Sequence, residues 1–145
     1  MWVDSDAARR AQLEAHEADA LVSATLPLRA NLSVLENIAL VPQVLRNIGE
    51  AAAAREVLEL LARTGCAGCA DRRDPDLSHE ERFVAKLLRA VIGAPARIVI
   101  ERPGLMLPDT HYPAFVESVL ASLADRPGEI LIMDYSWNRK LYPPQ

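Results

Sequence analysis

The sequence predicts an α/β fold with parallel strands, and three segments carry that prediction. Arg97-Ile98-Val99-Ile100-Glu101 and Glu129-Ile130-Leu131-Ile132-Met133 are nearly continuous branched apolar runs, the pattern of strands buried on both faces. Between them, Tyr112 to Ala124 carries Phe115, Val116, Val119, Leu120 and Leu123 at helical spacing. Strand, helix and strand in that order give a right-handed crossover and two parallel strands. The 145 residues, 50% hydrophobic and 25% charged, suffice for one core and lie far from the composition of a disordered chain.

From the N-terminus, Asp6 to about Ala18 is charged and alanine-rich and reads as an exposed helix or frayed arm, so residues 1–18 are assigned as an N-terminal arm. Asp19 to Ala24 is a short apolar stretch ended by Thr25-Leu26-Pro27, the pattern of a buried strand. Leu32 to Asn47 has helical spacing at Leu35, Ile38 and Ala39, then Val44, Leu45 and Ile48. Pro42 lies between the two groups, and a proline removes a helical N–H and clashes with the preceding turn, so two helical pieces are predicted. Glu50 to Thr64 reads as a helix, with Ala54, Val57, Leu58 and Leu61 on one face and Gly65 at its C-terminal stop. After the charged loop Asp71-Arg72-Arg73-Asp74-Pro75-Asp76 comes a helix start: Ser78 as N-cap, with Glu81 three residues on completing a capping box. Val84, Leu87, Leu88, Val91 and Ile92 line one side of that helix until Gly93. Residues 32–93 thus form a helical subdomain ahead of a strand-helix-strand core at 97–138, within one domain of residues 1–145.

Composition excludes several function classes. A net charge of -4 with no local basic run removes the electrostatic term that dominates nucleic-acid affinity. The start, Met1-Trp2-Val3-Asp4-Ser5-Asp6, has early acids and no apolar core, so it is no secretory signal. No apolar run approaches the ~18 residues of a membrane span, and a cytoplasmic protein without direct membrane insertion is expected. The glycines form no G-x-x-x-x-G-K-[ST], and Lys86 and Lys140 are each followed by leucine, so no Walker A phosphate loop can be written. Cys66 and Cys69 make a C-x-x-C, but His16, His79 and His111 show no paired spacing that would complete a metal site. Two reduced thiols in a loop is the stronger reading, with no metal expected. His16 and His111 are read as surface residues.

Several segments, in order, resemble the C-terminal portion of an ABC transporter ATPase. Asn31-Leu32-Ser33-Val34-Leu35-Glu36-Asn37-Ile38 looks like the segment that follows the Q-loop in that family. Leu77-Ser78-His79-Glu80-Glu81, running into Arg82 and the following helix, is similar to the LSGGE signature. Ile98-Val99-Ile100-Glu101-Arg102-Pro103 sits where the Walker B strand and its Asp-Glu-Pro would be, and Leu107-Pro108-Asp109 falls near the D-loop. The strand ending at Met133-Asp134-Tyr135-Ser136 takes the place of the switch-histidine strand, and the resemblance spans most of residues 20 to 138.

Almost every chemical position departs from the family pattern. Ala24 stands for the Q-loop glutamine. His79 and Glu80 replace the signature glycines, and a carboxylate at that helix N-terminus takes the dipole site meant for phosphate. At the Walker B position Glu101 is followed by Arg102 in place of a general base, and a guanidinium cannot accept a proton from water. Tyr135 replaces the switch histidine.

The resemblance therefore implies a degenerate, truncated cassette whose Leu77, Ser78, His79, Glu80, Glu81, Glu101, Arg102 and Tyr135 are vestigial, with no catalytic residue and no expected cofactor. It implies an accessory or regulatory role, with a membrane permease or an ABC ATPase as partner and peripheral placement at the inner face of the membrane. The alternative is half of a split transporter ATPase, using ATP and magnesium together with a chain that supplies Walker A. Arg82, Lys86 and Arg89 lie on one ridge of the signature helix, read first as a solvated face and second as a contact for an acidic partner. Tyr135, Trp137 and Tyr142 either pack the tail on the body or form a recognition patch.

Overall fold

The two apolar runs do pair in parallel, Ile98 beside Ile130 and Ile100 beside Ile132, at the centre of a four-stranded sheet. The computed structural model describes residues 1–144. β1 (Trp2–Val3), β2 (Ala20–Val22), β3 (Arg97–Glu101) and β4 (Glu129–Tyr135) lie in the order β1-β4-β3-β2, with every pairing parallel. The fold class is α/β, with a parallel sheet between helices.

Strand alternation splits the apolar residues between two layers. On one face Val3, Val99 and Met133 meet Ala8 and Leu13 of α1 (Asp6–Ala15). On the other, Val22, Ile98 and Ile100 join the large core, which draws on α2 (Val34–Arg46), α3 (Glu50–Arg63), α4 (His79–Val91), the single turn α5 (Pro103–Met106) and α6 (Tyr112–Ala121). A 3-10 turn, Ser136–Leu141, closes the chain against β1 and β4.

Four details correct the sequence reading. Residues 6–15 form the exposed helix the sequence predicts, with no residue fully buried, but the stretch ahead of it is no frayed end: β1 pairs with β4, and the Met1 ammonium donates to the Ile132 carbonyl at 2.7 Å. Pro42 does not divide its segment, because α2 runs unbroken with Pro42 buried on the same face as Val34, Ile38 and Ala39. Packing of that continuous face outweighs the one hydrogen bond a proline forfeits. The buried face of α3 is Ala53, Val57, Leu60 and Leu61, whereas Leu58 is exposed. The ridge of Arg82, Lys86 and Arg89 is not a solvated face: Lys86 is 6% exposed and donates to the Ser23 carbonyl at 3.2 Å. Arg82 pairs with Asp74 at 2.7 Å, and Arg89 caps the Pro27 and Leu26 carbonyls at 2.8 and 3.0 Å.

Helix ends follow the local chemistry. Gly65 takes φ of +76°, and the Cys66 N–H returns to the Leu61 carbonyl at 2.8 Å, closing α3. Ser33 and Glu36 form a capping box at α2, as Ser78 and Glu81 do at α4. Buried Asn37 satisfies both ends of its amide, accepting from Arg29 N at 2.8 Å and donating to the Arg29, Leu32 and Ser33 carbonyls. It fastens the 29–33 loop to α2. No helix among the described residues is long and apolar enough to cross a membrane.

Candidate crevice at the strand ends

In a parallel sheet all strand C-termini share one edge, the edge where ligands of open α/β sheets sit. In this chain that edge runs across the ends of β1, β4, β3 and β2, all parallel. The residues at that edge are Ser23 after β2, Glu101 and Arg102 at β3, Asp134 and Tyr135 on β4, and the start of α1 beyond β1.

Glu101 is the centre of the group. It is 2% exposed, and its Oε1 accepts from Arg9 Nη1 at 2.9 Å and from Arg102 Nε at 2.8 Å. Its Oε2 accepts from the Ser23 hydroxyl, which also meets Thr25 Oγ1 at 3.0 Å. Burial alone would raise the Glu101 carboxyl, but the Ser23 hydrogen bond and the two guanidinium groups outweigh it and hold it below the ordinary carboxylate value. Arg9 Nε has no hydrogen-bond partner and lies 3.7 Å from Asp6 Oδ1.

Arg102 reaches this position through a left-handed backbone, φ +45°, which turns the chain sharply into Pro103. Its N–H donates to the Met133 carbonyl at 2.7 Å, and its guanidinium carbon lies 5.7 Å from the centre of the Tyr135 ring. Tyr135 in turn bonds Asp6 through its hydroxyl and stacks on Trp137 with ring centres 4.2 Å apart. The Walker B-like pair Glu101 and Arg102 and the switch-position Tyr135 therefore meet in one cluster, with Arg102 and Tyr135 lining an open depression beside it.

Next to it, Asp134 is 2% exposed and accepts four hydrogen bonds. Its Oδ2 receives the hydroxyls of Tyr112 at 3.2 Å and Tyr142 at 2.8 Å, and its Oδ1 receives Tyr135 N at 2.8 Å and Asn138 Nδ2 at 3.0 Å. Burial first, and then the charge of Asp134 and the hydrogen bond to it, push the Tyr112 hydroxyl up to about 12 and the Tyr142 hydroxyl, where the hydrogen bond comes before the charge, higher still. The C-terminal aromatics divide: Tyr142 packs edge-on to Trp2 and Tyr112, at 5.1 and 5.9 Å, whereas Trp137 is 57% exposed.

The signature-like residues lie apart from this crevice. Leu77 is buried, while Ser78, His79 and Glu80 are exposed at the start of α4. Ser78 Oγ accepts from Glu81 N at 3.1 Å, Glu81 Oε1 accepts from Ser78 N at 2.9 Å, and Arg72 pairs with Glu81 at 3.0 Å. Thr110 donates to Glu80 Oε1 at 3.0 Å, tying the loop after Asp109 to this helix end. Among the described residues no hydrogen bond or ion pair joins Leu77 to Glu81 with Glu101. Ala24 is exposed and carries no polar group. Ser78→Ala is expected to cost about 1 kcal/mol in urea unfolding, the usual worth of an N-cap, and Ser33→Ala about the same.

Arg9 and Asp134 escaped the sequence reading. Arg9 sits in an Ala-Arg-Arg-Ala context that any solvated helix shares, and only the docking of α1 gives it a partner. Asp134 was visible only as a residue beside Tyr135. His16 also differs from its expected surface role, since its Nδ1 meets Asp19 Oδ2 at 2.8 Å with the imidazole mostly covered. Cys66 and Cys69 are free thiols on a turn after α3, the Cys69 Sγ donating to the Cys66 carbonyl at 3.1 Å. Among the described residues no three His, Cys, Asp or Glu side chains gather in a way that could hold a metal ion.

No family model matches the chain. Among solved structures, it is similar to a dimeric structure of MJ0796, a bacterial ABC transporter cassette, with a TM-score of 0.63 and 19% identity over 88% of this chain. It is equally similar to the dimeric post-hydrolysis state of the ATP-binding cassette MJ0796 bound to ADP and Pi, with a TM-score of 0.64 and 19% identity over 88% of this chain. The chain spans 57% of the length of each. At that identity the likeness speaks for the backbone alone: the parallel sheet and its helices have the fold of part of an ABC transporter ATPase cassette.

Proposed function

We propose that this chain is a non-catalytic ABC-cassette-like subunit with an accessory or regulatory role exerted through protein contacts. The observation that carries the reading is the C-terminal half of α2. Val44 and Leu45 are 77% and 65% exposed, and with half-buried Leu40 and Val41 they line an open depression of about 280 Å³. Isolated apolar residues on a surface need no explanation, but four contiguous ones are the mark of a contact site. The occupant that fits the cassette-like fold is an apolar cytoplasmic segment of a membrane permease, which would place the chain peripherally at the inner face of the membrane.

The nucleotide side of the fold lacks support for chemistry. Leu77 to Glu81 serve as cap and helix start, Tyr135 stands where a histidine would be, and Arg102 stands where a general base would be. Phosphoryl transfer depends on positioned charge, and these substitutions remove it. Val44→Glu/Leu45→Glu is expected to leave stability within about 0.5 kcal/mol of the parent, as for an exposed surface, and to abolish capture of the permease. Retained capture by a folded double variant overturns the contact. Millimolar Mg-ATP is expected to leave Tm unchanged, whereas a micromolar binder would add roughly 4 kcal/mol.

The second reading is half of a split ATPase, using ATP and magnesium with another chain that supplies Walker A. Saturable one-to-one ATP binding in calorimetry, appearing when that chain is added, would select it.

A further inference from the structure

The resemblance sets Glu101 at the Walker B position, where a bound divalent cation would need free oxygen donors. A magnesium ion takes oxygen donors in near-octahedral geometry, usually one or two carboxylates plus water and phosphate. Glu101 is the buried carboxylate at this strand end, and three donors already occupy its two oxygens: Arg9 at 2.9 Å, Arg102 at 2.8 Å and the Ser23 hydroxyl. A third cation, Lys86, stands 3.2 Å from the Ser23 carbonyl. A divalent ion entering here would displace short charge-assisted bonds and face two guanidinium groups and an ammonium. The residues present do not fit the metal.

The geometry points to a different arrangement: we propose that Arg9 is a tethered cation that replaces a divalent metal at Glu101 and latches α1 to the end of β3. A buried carboxylate at a strand end needs compensating charge. Glu101 receives it from a side chain delivered by the helix on the opposite layer from α2, α3 and α4. Arg102 is fixed by its own backbone turn and supplies the second guanidinium, while Asp6, 3.7 Å from Arg9 Nε, offsets the surplus positive charge. The same carboxylate holds Ser23, whose carbonyl anchors Lys86 of α4. Glu101 thus ties α1 and β3 to the residue after β2, Ser23 carries the connection on to Lys86 of α4, and the cluster keeps a single arrangement whether or not magnesium or nucleotide is present.

With both arginines gone, the Glu101 carboxylate and the Ser23 hydroxyl would be left as oxygen donors at this strand end. A divalent cation is therefore expected to reach Glu101 only when Arg9 and Arg102 are both removed. The inference rests on the non-catalytic reading of the crevice, but its test uses the purified chain and manganese alone, so failure of the permease contact leaves it untouched.

The test compares Mn²⁺ binding, followed by electron paramagnetic resonance, in the parent, in Arg9→Ser/Arg102→Gly and in that variant with Glu101→Gln added. Glycine at 102 suits the positive φ. The parent is expected to bind no Mn²⁺ saturably below 1 mM, roughly the level of adventitious carboxylate contacts. The double variant is expected to bind one equivalent at least tenfold more tightly, with Tm raised by the metal, and Glu101→Gln should cancel both gains. Saturable Mn²⁺ binding by the parent, or a folded double variant no tighter than the parent, overturns the proposal. Should the double variant fail to fold without metal, recovery of its circular dichroism by Mn²⁺ supports the proposal. If it does not recover, the parent decides through its Arg9 guanidinium NMR signals: no change in 10 mM MgCl₂ supports the latch, and shifts or broadening overturn it.

Discussion

Glu101→Ala is expected to destabilise the protein by about 3 kcal/mol, because it strands two largely covered guanidinium groups without a counter-ion. The side chains of Arg9 and Arg102 are only 16% and 20% exposed, so water cannot fully replace the lost carboxylate. Urea unfolding monitored by tryptophan fluorescence measures the loss, and a change under 1 kcal/mol would show that the cluster is not held as described. Glu101→Gln keeps the shape and removes the charge, so it should fall between the two. The pH dependence follows from the lowered Glu101 carboxyl. A group held lower in the folded state than in the unfolded one contributes stability above its unfolded value of about 4.3, and loses it as pH falls through the folded value. The parent should therefore lose more stability than Glu101→Gln on acidification below about pH 4.

Asp134→Ala is expected to cost a similar amount, about 3 kcal/mol, since hydrogen bonds to a charged group are worth about 1.5–3 kcal/mol each and do not add fully. The carboxylate is the shared acceptor for Tyr112 of α6, Tyr142 of the tail, Asn138 of the last turn and the backbone of Tyr135. Its removal leaves two tyrosine hydroxyls without their partner in a covered site, and frees the C-terminal turn. Alkaline titration gives an independent measure. The Tyr112 hydroxyl, raised to about 12, favours the protonated folded state. Its contribution is whole below the unfolded value of about 10 and is lost as pH climbs toward the folded one. In Asp134→Ala the tyrosinate absorbance of Tyr112 should move back toward 10 without reaching it, because burial persists. An unchanged titration would remove Asp134 as a cause.

The exposed apolar end of α2 and the charged cluster around Glu101 belong to different parts of the fold. The Val44→Glu/Leu45→Glu and Arg9→Ser/Arg102→Gly variants separate the two, one acting on capture and the other on metal.

Where neighbours in sequence decide the outcome, the sequence by itself was sufficient. The strands 97–101 and 129–135, the capping box of Ser78 and Glu81 and the stop at Gly65 were all legible, because apolar runs and caps act within a few residues. The order of the motif-like segments was legible too, and it led to the cassette fold. Tertiary structure alone decided the rest. Trp2 and Val3 form a strand only because β4 offers an edge, Pro42 stays within a helix only because its face is packed, and Lys86 is buried only because β2 ends beneath it. Arg9 and Glu101 are 92 residues apart in sequence, and no local pattern marks either as the other's partner. A charge reveals its role through what desolvates and pairs it, and both are set by which layers of the fold come together.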